Sequence, residues 1–410
     1  MSASSSSSGL SAEDHSRLRQ AQKEHRPLTV LQLVPRLDMG GVERGTLEIV
    51  EAIVGAGGRA LVATEGGTLL PRATRAGAQI FQMNMATKNP FSLWQNAGLL
   101  ARLICEEGVD LVHARSRAPA WSGYWAARRT GTPFLTTYHG TYTEGLPFKR
   151  LYNSVMAKGR PVIAISTFIR DLIVDRHGVP EDQIVVIPRG ADIAVFSEDA
   201  VGHERTVKLA EAWGILDDPR PVVMLPGRLT RWKGQDRMVE AAHLLRERRG
   251  PDFVVLIVGE ATDEAYARAI EARIRALGLE RNVWLTGGSS DMAAAYKIAA
   301  VVVSTSVEPE AFGRVVVEAQ AMGRPVIATD HGGARETVVH GESGWLYPPE
   351  DIAALADTLD RALTLDASDR ARMGLAARAR IHARYTISAM QRATISVYED
   401  AAGRSFGVSF

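Results

Sequence analysis

Among 410 residues there is a single cysteine, so neither an internal disulfide nor a cage of thiolates around a metal can form. Cys105 follows Leu103 and Ile104, which predicts the buried side of a helix and a packing role. No run approaches the ~18 consecutive apolar residues of a membrane span. Charge of one sign is also missing: 48 Lys and Arg stand against 47 Asp and Glu, a formal net charge of +1. Nucleic-acid binders carry a clustered basic excess, so nucleic acid is not an expected partner. There is no Asp-x-Asp pair to hold a divalent cation on a diphosphate, no HExxH and no GxxxxGK[ST] phosphate loop. The expected metal complement is therefore none. The opening MSASSSSSGLSAEDHSRLRQAQKEH lacks the apolar core of a signal peptide and is too polar to pack, so residues 1–27 read as a disordered tail and the protein as cytoplasmic.

What is present is ordinary globular material, 46% apolar and 23% charged, in a chain too long for one core. From Leu28 short β-branched runs alternate with amphipathic stretches. LTVLQLV (28–34), RALVATE (59–65), AQIFQM (78–83), VDLVHA (109–114), PFLTTY (133–138) and RPVIAIS (160–166) read as strands, with helices over 42–56, 92–107 and 167–176. After a polar, irregular stretch at 189–219 the grammar restarts with PVVMLPG (221–227), FVVLIVGE (253–260), NVWLTG (282–287), AVVVSTS (300–306) and PVIATD (325–330). Near-continuous apolar strands separated by helices predict parallel sheets covered on both faces. The expected division is 28–200, 201–385 and a C-terminal helix, 386–410, packing back on the first domain. Two doubly wound domains bind ligands outside the carboxyl ends of their strands, so the site is expected in the cleft where they face each other.

The most informative stretch is SVEPEAFGRVVVEAQAMGRPVIATDHGGARE (306–336). A strand ends, a loop carries Glu310, and Gly313 opens an apolar helix whose free N–H groups, with the Phe312–Gly313 junction, suit a phosphate. Glu310 and Glu318 are carboxylates fit to accept hydrogen bonds from sugar hydroxyls, and Glu318 lies in an apolar run where a carboxylate without a partner is costly. The ordinary alternatives are a helix N-terminal acid for Glu310 and a solvated face for Glu318. In LPGRLTRWKGQD (225–236), Arg228 and Lys233 can clamp a diphosphate, one as a planar fork and one as a point charge, or belong to a solvated basic loop. In VPRLDMGGVER (34–44), Gly40 and Gly41 lead into a helix and let the backbone approach a ligand, a weak signal by itself. His139, in TTYHGTY, stands at the carboxyl edge of the first sheet. Arg115 and Arg117, after VDLVHA, could pair with an anionic acceptor. In GLPFKRLYNSVMAKGR (145–160), Phe148, Leu151, Tyr152 and Val155 can share one helical face flanked by Lys149, Arg150, Lys158 and Arg160, a pattern for an anionic membrane surface or for packing on the sheet.

Together these motifs resemble the GT-B glycosyltransferases, in particular the retaining glycosyltransferase family 4, from about residue 28 to about 400. The most specific element is E-x7-E, Glu310 through Glu318 in EPEAFGRVVVE, followed by the A-x-G-x-PVIA and GGxxE pattern at 321–336. The resemblance implies that Glu310 contacts donor-sugar hydroxyls, Glu318 the ribose, Arg228 and Lys233 the diphosphate, and His139 the reacting sugar. Amides at Phe312, Gly313 and Gly41 would complete the phosphate cradle. It further implies retaining, metal-independent transfer from a nucleoside-diphosphate sugar, used as co-substrate without a cofactor, to a glycan or lipid-linked acceptor. Lipopolysaccharide or another surface glycoconjugate on the inner face of the cell membrane would fit. The architecture is shared with epimerases, phosphorylases and nucleotide-binding proteins without turnover. One departure is visible: the family often has Asn in a P-N-G-x-D turn, where this chain has Pro188-Arg189-Gly190-Ala191-Asp192.

Overall fold

The computed structural model describes residues 26–408 except Met39 and residues 143–146. The expected tail, apart from Arg26 and Pro27, lies outside the described residues. The first sheet has seven strands in the order β3-β2-β1-β4-β5-β6-β7: β1 (Thr29–Leu33), β2 (Arg59–Thr64), β3 (Gln79–Gln82), β4 (Leu111–Ala114), β5 (Phe134–Tyr138), β6 (Val162–Ala164) and β7 (Ile184–Val186). The second has six, β10-β9-β8-β11-β12-β13: β8 (Val222–Pro226), β9 (Val254–Val258), β10 (Val283–Gly287), β11 (Val301–Ser304), β12 (Val326–Thr329) and β13 (Trp345–Tyr347). Pairing is parallel, with Val30 opposite Leu111, and Val301 opposite Val223. In each sheet the strand order reverses beside the first-formed strand, between β1 and β4 and between β8 and β11. Such switch points leave a crevice at the strands' carboxyl ends.

The apolar runs predicted as strands are strands, because both faces of each central strand are covered: every residue of β1, β8 and β9 is buried. In the second core, Val223, Leu225, Val255 and Ile257 pack with Met238 and Leu245 of the helix Gln235–Arg249 and with Leu355 and Leu359 of the helix Ile352–Leu363. Two three-residue strands, β7 and β13, and the helix His203–Ala212 inside the stretch read as irregular went unpredicted, being too short or too polar to show a period. Cys105 is a correction. It is exposed, because the buried stripe of the helix Pro90–Glu106 runs through Leu93, Ala97, Leu100, Leu103 and Ile104, and the next residue turns about 100° away. The segment 147–157 is likewise not one apolar face: Val155 is buried, whereas Phe148 and Leu151 are 84% and 64% exposed. No helix among the described residues is long and apolar enough to cross a membrane.

Grouped by contact, the chain forms two compact units, one of residues 1–137, 151–162 and 392–410, the other of 138–150 and 163–391. The helix Ile387–Ala402 therefore starts in the second unit and ends in the first.

Candidate functional site

In the second unit, β8 delivers the chain to Gly227, whose φ of 143° only glycine adopts readily. Arg228 follows and is exposed. The backbone here is pinned from below: a Cβ on Gly259, just past β9, would lie 1.9 Å from the Gly227 carbonyl oxygen. A single turn, Arg231–Lys233, and Gly234 at φ 68° then open the helix Gln235–Arg249. Gly234 packs on the Thr305 carbonyl just past β11, where a Cβ would come within 2.2 Å of the oxygen. The loops after β8 and β11 are thus in direct backbone contact.

That contact places Lys233 beside Glu310. Lys233 Nζ lies 2.7 Å from Glu310 Oε1 and 4.4 Å from the centre of the Trp232 ring. Glu310 also accepts from the hydroxyls of Ser306 (2.5 Å) and Ser304 (3.3 Å). Burial pushes the Glu310 carboxyl up, but Lys233 and the two hydroxyls outweigh it and hold it below the usual glutamate range. The carboxylate is therefore ionised and the pair is a true ion pair. Three residues on, Gly313 at φ 87° starts the helix Arg314–Ala321 with no side-chain cap, leaving first-turn N–H groups for a ligand. Phe312 is buried, its ring edge-on to Tyr385 at 5.8 Å. Glu318 is 4% exposed and already has protein partners: the Tyr296 hydroxyl donates to it at 3.1 Å, and Arg314 lies 3.7 Å away. Its burial alone consequently does not call for a ligand.

The residues of the GGxxE pattern support the same loop. Gly332 and Gly333 lie flat on the Glu310 loop, where a Cβ on Gly333 would meet the Phe312 backbone at 2.5 Å, and the Gly333 N–H donates to the Glu310 carbonyl at 2.8 Å. Glu336 accepts the backbone N–H groups of Thr167 (2.9 Å) and Phe168 (2.7 Å), capping the helix Thr167–His177. This gives the GGxxE pattern a physical content: two glycines for close approach and a carboxylate for a helix N-terminus. His331 lines a small hollow with Ser304, Ser306, Glu310 and Gly313, and its ring nitrogens are shielded with no hydrogen-bond partner among the described residues. Gly259 and His331 had as their only sequence signal a position at a strand's carboxyl end.

His139 follows β5, and Nη2 of the buried Arg189 lies 2.7 Å from its Nδ1 and 3.4 Å from its Nε2. In the first unit, Gly40 is extended and Gly41 opens the 15-residue helix Gly41–Gly55; a Cβ on Gly41 would meet nothing within 4 Å among the described residues, whereas a Cβ on Gly40 would come within 2.2 Å of the Glu43 carboxylate, which lies against this N-terminus. Arg115 is 1% exposed and donates to Gln32 Oε1 at 3.2 Å. Burial lowers its pKa, against the pull of Tyr398 and Glu48. Arg117 is half-buried, donates to Asn153 at 2.9 Å and lies over the Tyr152 ring. Among the described residues no group of three His, Cys, Asp or Glu is arranged to hold a metal ion.

Comparison with known proteins bears directly on this arrangement. Residues 39–195 match the family "Glycosyltransferase Family 4" and residues 211–380 match "Glycosyl transferases group 1". A D-inositol 3-phosphate glycosyltransferase of Xylanimonas cellulosilytica is 30% identical over 315 residues, covering 73% of this chain and 74% of its own. A GDP-mannose-dependent alpha-(1-6)-phosphatidylinositol monomannoside mannosyltransferase of Mycolicibacterium smegmatis is 29% identical over 294 residues, 69% of this chain and 74% of its own. The crystal structure of a glycosyltransferase from Rickettsia africae superposes with a TM-score of 0.86 at 36% identity, covering 93% of this chain and all of that one. Anabaena Alr3699/HepE in complex with UDP-glucose gives 0.78 at 25% identity, covering 91% and 100%. Two parallel-sheet Rossmann-like units of this kind form the GT-B fold, and the family matches and relatives make the class a glycosyltransferase. Within that class, the chain belongs to glycosyltransferase family 4, the group 1 glycosyl transferases.

Proposed function

We propose that the protein moves a sugar from a nucleoside-diphosphate sugar to a hydroxyl of a glycan or lipid-linked acceptor, with retention and without a metal ion. The carrying observation is the cluster at the carboxyl ends of β8 and β11: exposed Arg228, the Lys233–Glu310 pair and the uncapped helix at Gly313. Two cations and a helix N-terminus suit a diphosphate, and the structural relative with UDP-glucose supports that donor class. The ammonium of Lys233 has three donors, so it can keep Glu310 and still reach a phosphate oxygen. In the step proposed, the bond from the anomeric carbon to the phosphate oxygen breaks as the acceptor oxygen attacks from the same face. The acceptor's proton passes to the departing oxygen. Arg228, Lys233 and the N–H groups after Gly313 hold the charge that develops, the kind of fixed electrostatics that supplies most of such accelerations. Glu310 and His139 face the sugar and Glu318 the ribose. A metal-independent reaction keeps its full rate in excess chelator, and transfer rather than release of free sugar appears only when acceptor is added. Loss of activity in chelator with recovery on Mg²⁺ or Mn²⁺ overturns the metal-free mechanism.

The reading extends to where the acceptor is met. Relatives named for D-inositol 3-phosphate and phosphatidylinositol monomannoside support polyhydroxylated and lipid-bearing acceptors, and we propose that the work is done at the inner face of the membrane, on surface glycoconjugates such as lipopolysaccharide. Phe148 and Leu151 are exposed beside the exposed Lys149 and Arg150, an apolar pair with cations worth about 1 kcal/mol each near anionic lipid. Binding is expected to anionic but not neutral vesicles, to weaken as salt rises, and to vanish in Lys149→Glu/Arg150→Glu. Equal sedimentation with both vesicle types removes this docking mode.

A further inference from the structure

We infer that Ser166 and Glu336 are positioning residues for sugar transfer, which together seat the loop Glu310–Gly313 on the N-terminus of the helix Thr167–His177. A helix begins with N–H groups that have no partner inside it. Here the protein takes them itself. Glu336 accepts from Thr167 at 2.9 Å and from Phe168 at 2.7 Å, one with each oxygen, and Ser166 Oγ accepts from Ile169 at 3.1 Å. The Arg170 N–H donates to the Ser166 carbonyl at 3.0 Å, so the first four donors of this helix are all used. A hydroxyl has one proton to give. Ser166 gives it to the Ala311 carbonyl at 2.6 Å. Ala311 stands between Glu310 and Phe312, so the residue that caps one helix also holds the loop that carries Glu310.

Glu336 holds the same loop through the backbone on which it rides. A Cβ on Gly332 would come within 2.5 Å of the Glu310 carbonyl oxygen, and the Gly333 N–H donates to that oxygen. Glu336 follows three residues later on the short helix Ala334–Thr337, so its two bonds to the helix Thr167–His177 also fix the strap Gly332–Gly333. The Glu336 carbonyl is held in turn by the Tyr385 hydroxyl at 2.8 Å, and the Tyr385 ring meets Phe312 edge-on. Residues 310, 311 and 312 are thus gripped in succession. Ser166 itself is fully buried, with both capacities of its hydroxyl engaged. The next helix is treated in the opposite way: Arg314–Ala321 starts at Gly313 without a side-chain cap. Of the two helix N-termini that meet this loop, one is spent on holding it and the other is left for the diphosphate, in a position that the first one fixes.

This role rests on the reading that the donor binds at Glu310–Gly313, and the experiment separates the two. Ser166→Ala removes the hold on Ala311 together with a helix cap. Asn89→Ala is the matched control: Asn89 Oδ1 caps the helix Pro90–Glu106 by accepting from Phe91 and Ser92, in the first unit. Both changes should lower the melting temperature of the intact chain. Only Ser166→Ala should speed amide hydrogen exchange across residues 305–318, by about tenfold, as local opening there becomes easier. Kinetics are read with the nucleoside-diphosphate sugar that the wild type selects from a panel of UDP-, GDP- and ADP-sugars. In Ser166→Ala the donor kcat/KM should fall about 10- to 100-fold, the scale of a positioning element displaced by up to about 1 Å, with acceptor KM unchanged. Glu336→Gln, which keeps only one of the two accepting oxygens, is the second variant and should show the same pattern. Donor kinetics at the wild-type level in both variants, or an equal loss in Asn89→Ala, overturn the inference. Full turnover in Glu310→Ala instead overturns the placement of the donor at this loop.

Discussion

Lys233→Met is expected to lower stability by about 3 kcal/mol and turnover by roughly 10²–10³-fold, and the two losses should separate in a second variant. The stability term follows from the ion pair: both side chains are largely buried, at 13% and 14% exposure, and removing one partner leaves an uncompensated charge, which costs ~3–5 kcal/mol in buried pairs. The rate term is that of losing one preorganised stabiliser of the leaving charge. In Lys233→Met/Glu310→Gln no charge is stranded, and the Gln amide can still meet Ser304 and Ser306. Denaturant titration should find most of the stability restored while transfer remains lost. The pH dependence has a definite sign. In the wild type the depressed Glu310 pKa means its contribution is present above the ordinary glutamate range, near 4.5, and is lost as pH falls through the lower folded value. Without Lys233, burial dominates and raises that pKa. The stability gap between wild type and Lys233→Met should therefore widen as pH rises from 4 to 7. A constant gap, or a double variant no more stable than the single one, would falsify the ion-pair account.

Gly259→Ala is the second large effect, from a residue with no chemistry of its own. The added carbon would sit 1.9 Å from the Gly227 carbonyl oxygen and 3.1 Å from the Arg228 nitrogen. Both are backbone atoms, so relief requires the loop itself to move. A displacement of about 1 Å in a positioning element costs roughly 10²-fold in rate. The fall in kcat/KM is expected to be of that order, with weaker binding of the nucleoside diphosphate. Gly98→Ala is the matched control. Gly98 lies within the helix Pro90–Glu106 with nothing within 4 Å of a built Cβ, so the change should leave activity intact and stabilise by about 0.5–1 kcal/mol. If Gly259→Ala retains wild-type kcat/KM, β9 does not position Arg228.

Much of this was legible in the sequence because parallel strands buried on both faces are written as unbroken apolar runs. FVVLIVGE could be little else, and its last two letters marked a carboxyl edge. The Glu310–Glu318 signature and the Arg228–Lys233 pair were likewise visible as types and spacings. What sequence could not supply was partnership. That Lys233 rests on Glu310, Glu318 on the Tyr296 hydroxyl, and Arg115 inside the first unit on Gln32 are long-range facts, decided by loops from different strands meeting. Arg189 is the sharpest instance. It was noticed only as an odd charge, and its partner, His139, lies 50 residues earlier. Cys105 failed for a local reason, since burial of two neighbours on a helix says little about the third.

The assignment of residues beyond 391 to the first unit bears on how the chain is made. Tyr398 supplies the hydroxyl that meets His113 Nδ1 at 2.6 Å, the Val408 N–H donates to the Ala56 carbonyl at 3.1 Å, and Arg404 donates to the Arg26 carbonyl. On the ribosome, β1 to β5 emerge first, yet these partners are translated only after the whole of the second unit. Domains generally close in order of synthesis; here the later unit is complete while the earlier one still lacks its final helix. A nascent chain halted just before Arg392 would carry a finished second unit attached to an unfinished first one, with the surface that Tyr398 covers still bare.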